Sequence, residues 1–354
     1  MRANDPNKSA APEDFVTHGT LRSATAIARN WGLMIALVAL AESVGGWWLT
    51  AFCVLAVGTV QFALGEALVH EASHYNLFRA RVWNDRLEAL YALPFLTTMR
   101  AYRAEHLQHH GRLGKDDDHV VRDYTYQRLT TIPARAAWVW FGKPALGITA
   151  FEYIRWLWKM NTARDWLKVT LFWAPVLVAC ALGELLPDLL LYWFVPLFAV
   201  FAPLLHWSEV ADHYRTRTGT RSRTSRIHNL LWHNNGYHAI HHRFPRIPCH
   251  NLARAHHALG GDRFDCASGW WEVWRQISRP TEPVPEPWVG FWPRRGGRPG
   301  PLLNQPSGSR SDDGLHPARP KRSRGSEPPV QPAGQSAATT ARSTMPGPVR
   351  LGQS

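Results

Sequence analysis

Two long apolar stretches dominate the hydrophobic pattern of the chain. The first runs from Ala24 to about Val69 and is interrupted by Glu42-Ser43-Val44-Gly45-Gly46. The second runs from Trp166 to about Trp207 and is interrupted by Gly183-Glu184-Leu185-Leu186-Pro187-Asp188. A helix that crosses a bilayer takes about 20 residues, so each stretch fits two spans joined by a tight turn. The predicted spans cover about 24–42, 47–69, 166–182 and 188–207. Paired apolar helices of this length are unusual inside one soluble domain. The pattern therefore predicts an all-α integral membrane protein: four transmembrane helices in two hairpins. The polar segments between and after them would form a helical cap. A shorter apolar segment, Leu87 to Met99, suits the membrane interface.

Charge adds an orientation. Both interruptions carry acids (Glu42, Glu184, Asp188) and no Lys or Arg. The opposite side carries Arg22, Arg29, Arg79, Arg81, Arg86, Arg100, Arg103, Arg112 and Lys115, and then Arg215, Arg217, Arg221, Arg223 and Arg226. Cytoplasmic loops carry the excess of basic residues. Both termini and the cap are therefore expected in the cytoplasm, with the protein in the inner membrane if the host is bacterial. The run from Arg215 to Arg226 reads as headgroup contact or as a dock for an acidic electron carrier. Trp47, Trp48, Trp156, Trp158 and Trp166 suit interfacial belts.

The net charge is +13, and the last 74 residues supply part of it. Residues 281–354 hold 14 of the 26 prolines and few large apolar side chains, too few to offset the entropy of ordering. Three parts follow: an N-terminal segment 1–23, a membrane domain 24–280 and a disordered tail 281–354. Cys53, Cys180, Cys249 and Cys266 form no C-x-x-C pair, which excludes a disulfide framework and a thiolate zinc site. The first residues lack an apolar core, so no cleaved signal peptide is expected.

The chemistry lies in the histidines. The chain has 18, and eight fall into three clusters: His70 and His74; His106, His109 and His110; His238, His241 and His242. Positions i, i+3 and i+4 share one helix face, so each cluster presents two or three imidazoles in one direction. All three lie near the cytoplasmic ends of predicted spans. The first, His70-Glu71-Ala72-Ser73-His74, also reads as H-E-x-x-H, in which two histidines grip zinc and the glutamate activates water. That reading leaves the other two clusters unexplained. Eight imidazoles exceed the four positions of a tetrahedral zinc and suit two ions of higher coordination number. At the end of the last predicted span, His213 is a candidate ninth ligand. Glu209, one turn before it and near His206, is a candidate ligand or orienting group. Asn234 and Asn235 are weaker candidates.

The motifs H-E-A-S-H-Y-N-L-F, Y-R-A-E-H-L-Q-H-H and N-G-Y-H-A-I-H-H-R-F-P, in this order around an apolar hairpin, resemble the membrane fatty acid desaturase and hydroxylase superfamily over roughly residues 24–260. The resemblance implies a non-haem diiron centre in a cytoplasmic cap, with O2 as co-substrate and two electrons per turnover. It implies metal ligation by His70, His74, His106, His109, His110, His213, His238, His241 and His242. Glu71 and Glu209 are the candidate catalytic carboxylates, Glu71 being expected to hydrogen-bond a ligand histidine. The first cluster is the short H-x3-H form, and Glu209 stands where several relatives have asparagine.

The expected activity is desaturation of a fatty acyl chain. Alternatives are hydroxylation or ketolation of a lipid or carotenoid, desaturation of a small amino-acid-derived metabolite, an intramembrane zinc protease and a non-enzymatic metal-binding protein. The chain has no H-P-G-G haem motif and no iron–sulfur cysteine run. Electrons are therefore expected from a separate ferredoxin or cytochrome b5-type donor with its reductase. No nucleic-acid partner is expected.

Overall fold

A computed structural model describes residues 10–115, 117–120 and 135–278; the predicted tail lies outside them. The chain is mostly helical, and four of its helices are long and apolar enough to cross a membrane: α1 (Thr20–Val44), α2 (Trp47–Ser73), α5 (Ala163–Leu182) and α6 (Leu186–His213). Gly45 and Gly46, both at positive φ, turn the chain between α1 and α2. Helices α2 and α6 run past the predicted ends at Val69 and Trp207 to Ser73 and His213. Their last turns carry polar side chains that are buried in protein, so the apolar pattern stops before the helix does.

Helix α2 is the most enclosed span: 67% of its apolar window is buried, against 22%, 17% and 39% for α1, α5 and α6. Small residues let its neighbours close in. A Cβ on Gly58 would stand 2.4 Å from Val200 Cβ on α6, and one on Gly65 would stand 2.5 Å from the Phe95 ring. Phe62 and Phe201 meet across the same seam, with ring centroids 6.2 Å apart. Both helices contain π-turns, at Ala63–Leu68 in α2 and at Leu190–Phe194 and Leu197–Phe201 in α6. Gln61 of α2 donates to Trp193 O within the α6 π-turn stretch at 3.0 Å.

The segment Leu87–Thr98 is irregular, yet Tyr91, Ala92 and Phe95 within it are fully buried against the spans. Irregular backbone among membrane helices needs internal partners, and side chains supply them. Indole N–H groups of Trp31, Trp173 and Trp193 donate to the carbonyls of Leu90, Leu93 and Pro94 at 2.9, 3.1 and 3.3 Å. Tyr153 OH donates to Phe95 O at 2.6 Å, and Asn161 donates to Leu96 O at 2.8 Å. Several of the abundant aromatics therefore act as donors to this segment.

Helices α3 (Met99–Arg112) and α4 (Ile148–Met160) follow. Asp165, 1% exposed, joins the starts of α3 and α5. It accepts from the α3 N-cap Thr98 at 2.7 Å, from Thr162 before α5 at 2.6 Å, and from Arg100. After α6 come strand β1 (Arg221–Arg223), helices α7 (His238–Arg243) and α8 (Cys249–Ala258), strand β2 (Asp265–Ala267) and helix α9 (Trp270–Ser278). The two strands pair in parallel, so the cap is not purely α-helical. Strands of three residues are too short to leave a period in the sequence. The N-terminal segment docks on the cap: Phe15 packs with Tyr237, Ile240 and Leu252, and Asn251 donates to Phe15 O at 2.9 Å.

The arginine run after α6 divides. Arg217 is exposed, whereas Arg221 and Arg223 are 1% and 0% exposed. Two of the five expected surface charges are therefore internal.

The Gly58–Val200 contact predicts that Gly58→Val lowers the thermal unfolding midpoint in detergent, through overpacking of about 1–3 kcal/mol. Adding Val200→Ala should recover part of the loss. An unchanged midpoint for Gly58→Val would place the seam elsewhere.

Candidate metal centre

Three helix ends and one short helix bring the histidines together. The guanidinium of Arg103, on α3, donates to Ser73 O at 2.9 Å and Ala72 O at 3.0 Å, the last carbonyls of α2. It also bonds Asp85 at 2.5 Å. This clasp sets His70, on the last turn of α2, and His74, just beyond it, against His106 and His110 one and two turns along α3. Arg221 repeats the device on α6, donating to Ala211 O at 2.5 Å and Tyr214 O at 3.1 Å behind His213. Its neighbour Ser222 accepts from Ala239 N at 3.2 Å and so holds the start of α7, which carries His238, His241 and His242. Gly236 is required before that helix: a Cβ there would stand 2.4 Å from Arg223 O.

The imidazoles form two adjoining sets. Donor atoms of His70, His74, His106, His110 and His241 lie within 4.8 Å of one another, and so do those of His109, His213 and His242. His238 adjoins the second set, its Nε2 3.1 Å from His213 Nε2. His110 and His242 stack at 4.0 Å, one from each set. All nine histidines of the sequence reading therefore converge.

Hydrogen bonds fix two tautomers. His213 Nδ1 lies 3.0 Å from Gly219 O, and a carbonyl only accepts, so Nδ1 carries the proton. His109 Nδ1 lies 2.9 Å from Asp118 Oδ1. Burial opposes ionisation of Asp118, but the hydrogen bond and charge of His109 and the N–H of Gly114 hold its carboxyl below the usual range. It is an acceptor, and His109 also carries its proton on Nδ1. The Nε2 atoms of His109 and His213 consequently face each other at 3.2 Å. Other facing Nε2 pairs are His74–His106 at 2.8 Å and His110–His241 at 3.3 Å. Such spacings suit neighbouring ligands of an ion about 2.1 Å from each nitrogen. His70 Nε2 and His241 Nδ1 are buried without a hydrogen-bond partner among the described residues. The donor set fits transition-metal ions bound by imidazole.

Burial drives the imidazoles of His74, His106, His110, His238, His241 and His242 well below their ordinary value, and neighbouring imidazoles drive them further. They stay neutral at physiological pH, the form that ligates metal.

The carboxylates sit differently. Glu71 accepts from the Cys249 backbone N–H at 2.8 Å; the sequence reading set it against a histidine, and the bond observed runs to the start of α8 instead. Glu209 is half-buried and lines a cavity of about 760 Å³ that also touches His70, His106, His109, His213 and His238. His206 lines the same cavity but belongs to neither set, its Nε2–H donating to Val139 O at 2.9 Å. Asn235 lines the cavity, and Asn234 donates to Cys249 O at 3.0 Å. Sequence reasoning missed Asp118, with no signal beyond an acid near the second cluster. It also missed Asp212, which accepts from buried Arg223 at 2.9 Å beside His213, and Glu66, which lines the cavity and accepts from Tyr102 OH at 3.0 Å.

Two outcomes follow. Asp118→Asn removes the charge that orients His109 and should weaken metal binding about 10- to 100-fold, read as metal retained against a chelator; retention equal to wild type would remove Asp118 from this role. The lowered histidine values mean that the unfolded chain binds protons the folded chain refuses once pH falls below about 6.5. The thermal midpoint of metal-free protein should therefore fall between pH 7.5 and pH 5.5 (values of about these magnitudes bracket the unfolded histidine range), and a flat profile would contradict the burial of neutral imidazoles.

The fatty acid desaturase family profile matches residues 45–272, a range that contains all three clusters and His213. No curated protein matched the chain. The profile covers more than half of the sequence, and the apolar helices and histidine clusters accord with it: the chain belongs to the fatty acid desaturase family, membrane oxidoreductases that hold iron and act on lipids.

Proposed function

We propose that this protein is an O2-dependent desaturase that introduces a C=C bond into a fatty acyl chain at a pair of iron ions. His70, His74, His106, His110 and His241 would hold one ion, and His109, His213, His238 and His242 the other. The two adjoining sets of converging imidazole nitrogens carry this reading. Bound iron supplies the reduction of O2 and an oxidising power that no side chain has. The residues around it supply position. Asp118 and Gly219 O fix which imidazole nitrogen faces inward, and Arg103 and Arg221 hold the helix ends that carry His70 and His213. Glu71 ties the first cluster to the segment that follows the third.

The substrate chain would enter the 760 Å³ cavity, where Tyr102, Tyr153, Trp156 and Met160 offer apolar walls beside the histidines. Glu209 faces the same space and is one of the carboxylates placed to contact a substrate there. The four apolar helices would form two hairpins, with both termini and the metal-bearing cap in the cytoplasm, as the distribution of arginines implies. Residues 24–280 would form this membrane unit and 281–354 a disordered tail. Two electrons would come from a separate ferredoxin or cytochrome b5-type donor and its reductase. In the zinc-protease reading Glu71 would have to present its carboxylate to a metal-bound water, whereas its oxygen is engaged by Cys249.

One observation favours a second reading. The cavity also carries Glu66, Glu105, Glu152, Glu209 and Asp212. Polar walls of this kind suit a small amino-acid-derived substrate better than a bare hydrocarbon chain.

Membranes expressing the protein, with a matching electron donor, should contain new double bonds in their acyl chains, and purified protein should hold about two irons per chain. His109→Ala and His241→Ala should abolish product formation while leaving membrane insertion intact. Normal turnover by either variant would remove the proposed centre. Hydroxylated lipids, or unchanged lipids with an oxidised polar metabolite, would select an alternative substrate or outcome at the same site.

A further inference from the structure

A second cavity, of about 400 Å³, opens at the start of α1 and shares no lining residue with the one beside the histidines. Arg22 and Arg29 line it, over apolar Leu21, Leu68 and Leu77. No Asp or Glu lines it, and neither arginine makes an ion pair among the described residues.

Arg29 is aimed. Its Nη2 donates to His233 Nε2 at 3.2 Å, and Asn30 donates to the same nitrogen at 3.0 Å. A nitrogen that accepts from both belongs to a neutral imidazole. His233 reaches α1 because it and Asn234 adopt left-handed backbone, at φ 51° and 61°, a conformation that costs non-glycine residues energy and persists where the surroundings fix it.

The helix continues the pattern below the arginines. At about 100° per residue, positions 22, 29, 33 and 40 fall on one stripe of α1. Leu33 and Leu40 on that stripe are 46% and 42% exposed. The stripe thus runs from two uncompensated guanidiniums at the head of a span to exposed leucines farther along it. This is the chemistry of one amphipathic anion: a charged head above an apolar tail, at the depth where a span meets the headgroup layer.

We infer that this niche is a binding site for an anionic phospholipid. The phosphodiester lies between Arg22 and Arg29, and an acyl chain follows Leu33 and Leu40. A soluble phosphate or nucleotide would satisfy the arginines but would leave the leucine stripe unused. The lipid joins α1 to the loop that precedes the third histidine cluster, because Arg29 touches both the niche and His233. The site rests on α1 being a span and does not depend on the reaction catalysed.

Native mass spectrometry of the full-length protein in detergent, titrated with phosphatidylglycerol or phosphatidylcholine, tests this. Phosphatidylglycerol should bind about tenfold more tightly or better, given two arginines near the phosphate. The double variant Arg22→Gln/Arg29→Gln should lose that preference, and Arg79→Gln/Arg81→Gln should keep it. In the unaltered protein the preference should shrink as salt is raised, which tests the charge contact without any substitution. Equal binding of the two lipids, or equal loss in both double variants, would overturn the site. Displacement of the lipid by millimolar inorganic phosphate, at about the concentration expected of a weak free-anion site, would show an anion pocket and overturn the lipid assignment.

Discussion

The Nε2 atoms of His109 and His213 face each other at 3.2 Å, amid two adjoining sets of converging imidazoles. The rings are not free to turn away, because Asp118 and the Gly219 carbonyl each hold an Nδ1 on the far side. Much of the cap can be understood as what is needed to keep neutral donors in this arrangement. The rings are buried among one another, so protonation would place a charge in a site that cannot solvate it. A cation of the right size takes up the converging donors. Burying so many imidazoles together costs solvation without an ion and is favourable once one is bound, the usual coupling of metal binding to folding.

Holding the donors requires that helix ends stop where the histidines begin. A helix terminus leaves open carbonyls, and near a membrane there is little water to satisfy them. Both histidine-bearing spans meet this with arginine. Arg103 takes the last carbonyls of α2, and Arg221 those of α6. Each guanidinium comes from a segment that leads to, or carries, another histidine cluster. The group that closes one helix therefore also sets the distance to the next set of ligands. The irregular Leu87–Thr98 segment, which leads into α3, is treated in the same way, with indoles in place of guanidiniums.

The spans and the histidine faces were legible because they are periodic and local. Twenty-residue apolar runs and i, i+3, i+4 imidazoles can be read from neighbours alone. What escaped depends on distant partners. Arg221 and Arg223 looked like surface charge, since nothing near them in sequence announces that Ala211, Asp212 and Ser208 will enclose them. Trp31, Trp173 and Trp193 are apolar by composition and function here as donors. Asp118 stands among three consecutive acids, which reads as a solvated loop until folding brings His109 to it. The three-residue strands that bury Arg221 and Arg223 have no period to detect.

The H-E-A-S-H motif shows how position, rather than identity, assigns a role. His70 and His74 are four apart and share a face, whereas Glu71 lies about 100° around the helix from His70. A carboxylate there points away from the imidazoles of its own motif unless the chain bends to meet it. In this fold the chain that meets it is the start of α8, through the Cys249 N–H. Cys249 follows the third cluster, and its carbonyl in turn accepts from Asn234, which precedes that cluster. Glu71 and Asn234 thereby hold both flanks of α7 through one residue. The glutamate that would activate water in a zinc protease is spent here on joining the first histidine pair to the helix that carries the last three, which leaves Glu209 as the one of the two carboxylates that faces the cavity.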